Sequence, residues 1–457
     1  MWILDCGFWI DPSETYPTDE KAASIEAGAA FSMVAWSRTD NQSKIQNLKS
    51  KIRTWNIAKQ PGRSRSLHYT STCSRTMRIF LPVHCIRAGR IGGVEQMIQG
   101  LWQGLATHGH AVTLATDNLE HLAPAMRGSA VQAPSGRLAA FGARQSRFIG
   151  EQLACLTTAA QSDFTIFPNY HTPAFLPRRI GTVATVIHDI QYTAYPAYFS
   201  AQKRAWLRWA QQWTLRNADV VVAISEFVKT TLCEAYGSAY EGKIAVVYNP
   251  IDWTRFGAAE AVEEAAPARR RPFVLSVAAD FPHKNLSTLI KAFARLVTRF
   301  DVDLVLVGQR RKKLGHHVRG GDDLDGLVEE LGLEDRVRQT GYIGDARLAQ
   351  LYKTAAVFAF PSLYEGFGMP PIEAMGFGVP TLTTRKASLP EVTLQKASYV
   401  DDPLNPDEWA DKLAQILQRP EAFRLDPETV AHFRNRYAPE RIAQDYVKVG
   451  EEAGGRR

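Results

Sequence analysis

"VFAFPSLYEGFGMPPIEAMGFGVP", residues 357–380, reads as an apolar strand, a glycine turn and a short helix in direct succession. Pro370 and Pro371 suit the first turn of a helix, where a missing N–H costs nothing. Gly378 and Pro380 suit its end, so the helix is about two turns long. Its free N–H groups and the positive end of its dipole face the Gly366-Phe367-Gly368 turn and favour an anion such as a phosphate. Two carboxylates, Glu365 and Glu373, flank the same turn. Carboxylates repel phosphate and seek hydroxyl donors, so a ligand carrying both phosphates and sugar hydroxyls satisfies both halves. Taken singly, Glu373 is as well explained as an acid complementing a helix dipole, and the glycines as ordinary turn residues. It is their combination that points to a ligand.

Outward from this segment, strand and helix patterns alternate from Met77 onward, which predicts parallel sheets covered on both faces. Strand candidates are RIFLPV, AVTLAT, FTIFP, TVATVIH, VVVAIS and IAVVY in the first half, then FVLSVA, DLVLVG, VRQTG, VFAFPS, TLTT and SYV. The Ala-, Glu- and Arg-rich stretch 257–272 lacks strand pattern and reads as a linker. The expected class is therefore α/β, with two Rossmann-like doubly wound domains facing across a cleft. Residues 77–256 form the first domain and 273–435 the second, and 436–457 form a C-terminal helix packing back on the first. Residues 1–76 read differently: from Asn41 to Thr76 there are eight Lys and Arg residues, no acid and no sustained apolar period. They are expected to be a poorly ordered extension, dispensable or preceding a native start at Met77, with a basic membrane-binding tail as the rival reading.

The 457 residues, 45% apolar and 22% charged, are those of a soluble two-domain protein, and the net charge of +7 suggests acidic partners. Five cysteines, at positions 6, 73, 85, 155 and 233, show no paired spacing. They read as reduced thiols in a cytoplasmic protein, for which the inner face of the membrane is a further option. No run reaches the roughly 20 apolar residues of a spanning helix, so any membrane contact would be peripheral.

In doubly wound sheets ligands lie beyond the carboxyl ends of the strands. Five such ends carry suggestive residues: Gly89, Gly92 and Gly93; His188 and Asp189; His283, Lys284 and Asn285; Arg310 and its neighbours; and the glycine turn itself. Gly92 and Gly93 open a helix near Val94 and suit a diphosphate, although a plain tight turn explains them equally well. Neither GxGxxG nor GxxxxGK[ST] occurs, which removes the main support for a dehydrogenase or a P-loop NTPase. Lys284 would place an ammonium in the cleft, where it could stabilise a departing diphosphate, with His283 assisting if protonated. Ser225, directly before EFVKTTLCEAYG, reads as a helix N-cap. The triplets Asp301-Val302-Asp303 and Asp323-Leu324-Asp325 have the spacing of a metal site. The first precedes its strand and the second opens a helix, so no catalytic metal is expected.

These residues resemble the family 4 (group 1) retaining glycosyltransferases of the GT-B fold. The resemblance rests on the E-x7-E stretch with FAFPSLY before it and ASLPEV after it. It extends through GGVEQMIQGLWQGLATHGHAVTLAT, VIHDIQYTAYPAYFS, ADVVVAISEFVK, KIAVVYNPID, FPHKNLSTLIKAFARL and TGYIGDARLAQLY, in family order. It implies that Glu365 lies near the hydroxyls of the donor sugar and that Glu373 receives the ribose hydroxyls. The main chain of Gly366, Phe367, Gly368, Met369 and Pro370 would hold sugar and diphosphate. Lys284 and the Gly92-Gly93 loop would bind the diphosphate, and His188 would sit near the transferred sugar. Ala278 stands where the family usually has glycine and His283 where this subgroup often has arginine, leaving Lys284 as the main phosphate grip. The implied activity transfers a hexose, mannose as first choice, from GDP-mannose or a UDP-hexose to a glycan or lipid-linked acceptor in surface polysaccharide synthesis, with no cofactor. A catalytically inactive nucleotide-sugar sensor and another GT-B enzyme, an epimerase or phosphorylase, are the alternatives. Nucleic acid is not an expected partner, because the basic residues are not interleaved with aromatics along one face.

Overall fold

The computed structural model describes residues 76–86, 92–132, 161–169, 171–173, 180–260, 271–309 and 322–455. Residues 1–75, Gly89, Arg310 and most of the 257–272 linker lie outside the described residues, as do Cys6, Cys73 and Cys155. Cys85 and Cys233 form no disulfide among the described residues.

The first domain is a seven-stranded parallel sheet of β1 Arg78–Pro82, β2 Ala111–Thr116, β3 Ala130–Gln132, β4 Phe164–Phe167, β5 Thr182–Ile187, β6 Val220–Ala223 and β7 Ile244–Val246. Their spatial order is β3-β2-β1-β4-β5-β6-β7. Every residue of β4, β5 and β6 is buried, which is why these segments read as unbroken apolar runs rather than alternating ones. Around the sheet run α1 Gly93–Thr107, α2 Ala201–Asn217 and α3 Glu226–Tyr236. The three-residue edge strand β3, AVQ, is largely exposed and was not among the strand candidates.

The second domain is a six-stranded parallel sheet of β8 Phe273–Val277, β9 Asp303–Val307, β10 Val337–Gly341, β11 Val357–Phe360, β12 Thr381–Thr384 and β13 Ser398–Val400, in the order β10-β9-β8-β11-β12-β13. Both sheets reverse winding direction between their first and fourth strands, the doubly wound pattern. Alternate residues of one strand feed opposite faces. Val274, Leu304 and Ala359 pack with α4 Leu286–Leu296 and α8 Pro406–Gln418. Leu275, Val305 and Phe358 pack with α6 Asp345–Thr354 and α7 Met369–Gly376. The short helix α5 Leu324–Glu330 and α9 Pro427–Arg436 complete the layers.

The final helix, α10 Pro439–Gly454, leaves the second domain and lies along α1. Ile442, Ala443, Tyr446 and Val447 are buried in the same apolar cluster as Met97, Ile98 and Leu101 of α1. The approach is close enough that a Cβ at Gly104 would stand 2.1 Å from the Pro439 carbonyl oxygen. His108 Nε2 donates to the Glu440 carbonyl across 2.9 Å.

Candidate active site

The glycine turn sits where β11 ends, and its main chain is fixed from behind. Ser388 Oγ lies 2.9 Å from the carbonyl oxygens of both Glu365 and Phe367. Ser225, the N-cap of α3, accepts from Val228 N–H and gives its own hydrogen to the Gly366 carbonyl at 2.7 Å, a bond between the domains. With the carbonyls turned to these hydroxyls, the N–H groups of Gly366, Phe367 and Gly368 are not hydrogen-bonded among the described residues. All three residues are buried. Buried N–H groups without acceptors at a helix N-terminus form an anion site. Gly368 is the N-cap of α7, and Pro370 lies in its first turn.

Lys284 comes from the single helical turn Pro282–Lys284 that follows β8. Its Nζ donates to Glu365 Oε1 across 2.6 Å and stands 5.4 Å from the centroid of the Phe360 ring. The two predicted catalytic groups of the second domain are thus one ion pair. Asn285, in the left-handed region at φ 54°, anchors the turn by donating to the Pro361 and Pro403 carbonyls. His283 turns the other way. Its ring is buried and stacked on Phe281, and burial together with the neighbouring Lys284 holds its pKa well below the ordinary imidazole range. It is neutral and adds no cation.

From the first domain, His188 directly follows β5, with its imidazole buried and Nε2 2.8 Å from the Pro168 carbonyl. A carbonyl can only accept, so Nε2 carries the proton. Burial lowers the pKa, outweighing the Pro168 bond and Asp189, and the ring is neutral. Its main chain abuts the glycine turn: a Cβ on Gly366 would lie 1.9 Å from the His188 carbonyl oxygen, so only glycine fits. Gly92 caps α1 without a side chain, and a Cβ at Gly93 would be 3.8 Å from Met369 Sδ. The N-termini of α1 and α7 therefore meet.

The side chains of two further expected residues have partners within the protein. The Phe367 ring packs between Tyr248 and Tyr437, leaving only its main chain for a ligand. Glu373, 3% exposed, accepts from Arg255 Nη2 at 2.5 Å and from the Tyr352 hydroxyl at 2.8 Å. Arg255 was not foreseen. It stands in the turn Trp253–Glu260, at the end of the first domain's segment, 4.3 Å above the Phe256 ring and 3.7 Å from Asp345. Glu391, in the quoted ASLPEV but given no role, was missed too. Its carboxylate accepts from Glu226 N–H at 2.8 Å and Phe227 N–H at 3.2 Å, capping α3 from the other domain.

The acidic triplets lie away from this convergence. Asp301 and Asp303 stand at the amino end of β9, held by Arg271 and Arg336 at 2.8–3.6 Å. Asp323 caps α5, and Asp325 accepts from Gln339.

Two facing sheets of this winding, with a lysine–glutamate pair and two helix N-termini meeting between them, define the GT-B class of glycosyltransferase fold. Residues 91–255 match Glycosyltransferase Family 4 and residues 259–433 match Glycosyl transferases group 1. The chain belongs to the family 4, group 1 glycosyltransferases. It is 29% identical over 220 residues to O-antigen chain mannosyltransferase B of Escherichia coli, covering 45% of this chain and 54% of that protein. It is 28% identical over 267 residues to the O-antigen chain mannosyltransferase RfbU of Salmonella typhimurium, covering 58% and 68%. The chain thus spans about half the length of the first of these curated relatives. Among solved structures, sucrose-phosphate synthase from Thermosynechococcus elongatus superposes with a TM-score of 0.66 at 22% identity, over 83% of this chain and 100% of that one. HepE of Anabaena in complex with UDP and glucose gives 0.61 at 19% identity, over 83% and 99%.

Proposed function

We propose that the protein is a retaining hexosyltransferase that moves mannose, or failing that another hexose, from a nucleoside diphosphate sugar to a glycan or lipid-linked acceptor in surface polysaccharide synthesis. The observation carrying this reading is the Lys284–Glu365 pair beside the unbonded N–H groups of the glycine turn. As the sugar–phosphate bond loosens, negative charge gathers on the diphosphate, where Lys284 and the meeting helix N-termini favour it. Positive charge gathers on the sugar, where Glu365 favours it. His188, buried and neutral, forms part of the opposite wall. Glu373 receives the ribose hydroxyls on lone pairs that Arg255 and Tyr352 leave free. The two O-antigen mannosyltransferases support mannose and a polysaccharide role. The reading assigns no role to a metal; Asp301 and Asp303 are held by guanidinium groups at the amino end of their strand.

The test is a donor screen over GDP-mannose and UDP-hexoses, read as free nucleotide and as the anomeric configuration of the product, with and without chelator. GDP-mannose turnover that survives chelation with retained configuration is expected, and Lys284→Ala should lower it about a hundredfold or more. Glu365→Gln should chiefly lower turnover. Glu373→Gln should chiefly weaken nucleotide binding, by about 1.5–3 kcal/mol. Donor binding with no nucleotide release from any donor would mark a sensor instead.

A further inference from the structure

The helix α2 has features that the cleft does not use. From Ile190 to Ala218 the chain has four basic residues, Lys203, Arg204, Arg208 and Arg216, and no acid. The buried side of α2 is Lys203, Leu207, Ala210, Gln211, Thr214 and Leu215, so Lys203 does not belong to the outer face. Toward its outer side Trp209 and Trp213 stand at i and i+4, while Trp206 packs against the core and the His171 ring. Trp209 is 58% exposed, a large apolar side chain left in water, and stacks on Trp213 with ring centroids 6.0 Å apart. Lys203 Nζ stands 4.9 Å from the Trp206 ring centroid. Arg208 and Arg216 are exposed on this outer side, and neither is paired with a carboxylate among the described residues. Indole rings beside unneutralised guanidinium groups are the side chains that settle at the boundary between lipid headgroups and acyl chains.

We propose that the outer face of α2 docks on an anionic lipid bilayer, with Trp209 and Trp213 entering the headgroup region and Arg208 and Arg216 facing lipid phosphates. Charge complementarity selects this occupant: a face with cations and no acid matches a negatively charged surface. The two indoles stack on one another rather than standing apart to receive bases, which sets a single-stranded nucleic acid aside. Docking here also has a consequence for the cleft. The opposite side of α2 holds the turn after His188, with Gln211 Nε2 3.4 Å from the Asp189 carbonyl and Gln211 Oε1 accepting from the Tyr192 hydroxyl at 2.8 Å. One helix thus has the membrane surface on one side and the cleft wall on the other, so an acceptor carried on a lipid would enter beside it. The docking itself does not depend on the identity of donor or acceptor.

The experiment is flotation of the full chain with phosphatidylcholine vesicles, either alone or containing about 30% phosphatidylglycerol, followed also by tryptophan emission. The wild type should float with the anionic vesicles only and shift its emission to the blue. Trp209→Glu, and separately the exposed pair Arg208→Glu with Arg216→Glu, should each lower partitioning about tenfold or more. Both variants should keep the parent melting temperature and the parent rate of nucleotide release from donor in the absence of membranes; the charge-reversal pair decides the matter should Trp209→Glu fail to fold. Floating of both variants like the wild type would overturn the proposal and assign binding to the basic segment before Met77. Equal binding to neutral vesicles would overturn it too. So would absence of vesicle binding together with a dimer that Trp209→Glu converts to monomer, which would make the face a contact between copies.

Discussion

Replacing Arg255 by leucine tests the cluster at Glu373. In the parent the Arg255 and Glu373 side chains are 10% and 4% exposed, so their interaction is little screened by water. Arg255→Leu removes the cation from Oε1 and leaves the carboxylate with one donor, the Tyr352 hydroxyl. Stripping a buried carboxylate of its partner costs about 3–5 kcal/mol, whereas replacing both members by apolar groups is often close to neutral. Leucine over Phe256 keeps part of the apolar contact that the guanidinium makes at 4.3 Å. The single variant should therefore lose about 3–5 kcal/mol, and Arg255→Leu with Glu373→Leu should be the more stable of the two despite carrying two changes. Urea unfolding of parent, both singles and the double, analysed as a double-mutant cycle, gives the coupling directly. An Arg255→Leu protein within about 1 kcal/mol of the parent, or a double variant no more stable than that single, would refute the reasoning.

Three further outcomes follow from contacts between the domains and from buried imidazoles. Glu391→Gln keeps the shape but removes the charge capping α3, and should cost about 1 kcal/mol, read as a lower melting temperature whose deficit shrinks at high salt; no deficit at low salt would sink it. Gly366→Ala places a methyl group 1.9 Å from the His188 carbonyl, so the walls must part and turnover should fall about a hundredfold, while parental turnover would show that the walls do not meet this way. Burial lowers the pKa values of His188 and His283, and with Lys203 nearby it lowers that of His171 to about 4. An imidazole whose pKa is lowered by folding contributes full stability above its unfolded value, about 6.5, and loses it as pH falls through that value toward the folded one. The melting temperature should therefore drop between pH 7 and pH 4.5, and a flat profile across that window would contradict the burial of these rings.

Local pattern made the sheets legible. Twelve of the strands lie on segments singled out in the sequence. Of these, β4, β5, β6 and β11 are buried at every residue and read as unbroken apolar runs. The edge strand β10, VRQTG, is largely open and is marked only by the alternation of strand and helix patterns, and β3, AVQ, gave no signal. The glycine turn and the two-turn helix after it were equally plain, since Pro370, Pro371 and Gly378 act through local backbone geometry. What the sequence hid were the partners. Arg255 meets Glu373 across 118 positions, and Ser225 meets Gly366 across 141. Ser225 was read as a cap, which it is, but its hydroxyl hydrogen was left without a destination. For Glu391 the signal was available in part: an acid in a quoted motif with no local role is a candidate for a distant N–H pair. The burial of His283 was not readable either, because Phe281 stacks on it only through the turn that Asn285 anchors.

Helix α10 makes the first domain discontinuous along the chain. Its buried face against α1 is supplied by residues that leave the ribosome only after the whole second domain has emerged. During synthesis the strip of α1 bearing Met97, Ile98 and Leu101 waits without its cover, while the second domain has all of its own strands and can close first. The emergence of residues 439–454 is the event that covers this strip. Cleavage after Tyr437 should return the mature protein to that unfinished state, raising its binding of hydrophobic dyes while leaving the β8–β13 sheet protected from hydrogen exchange.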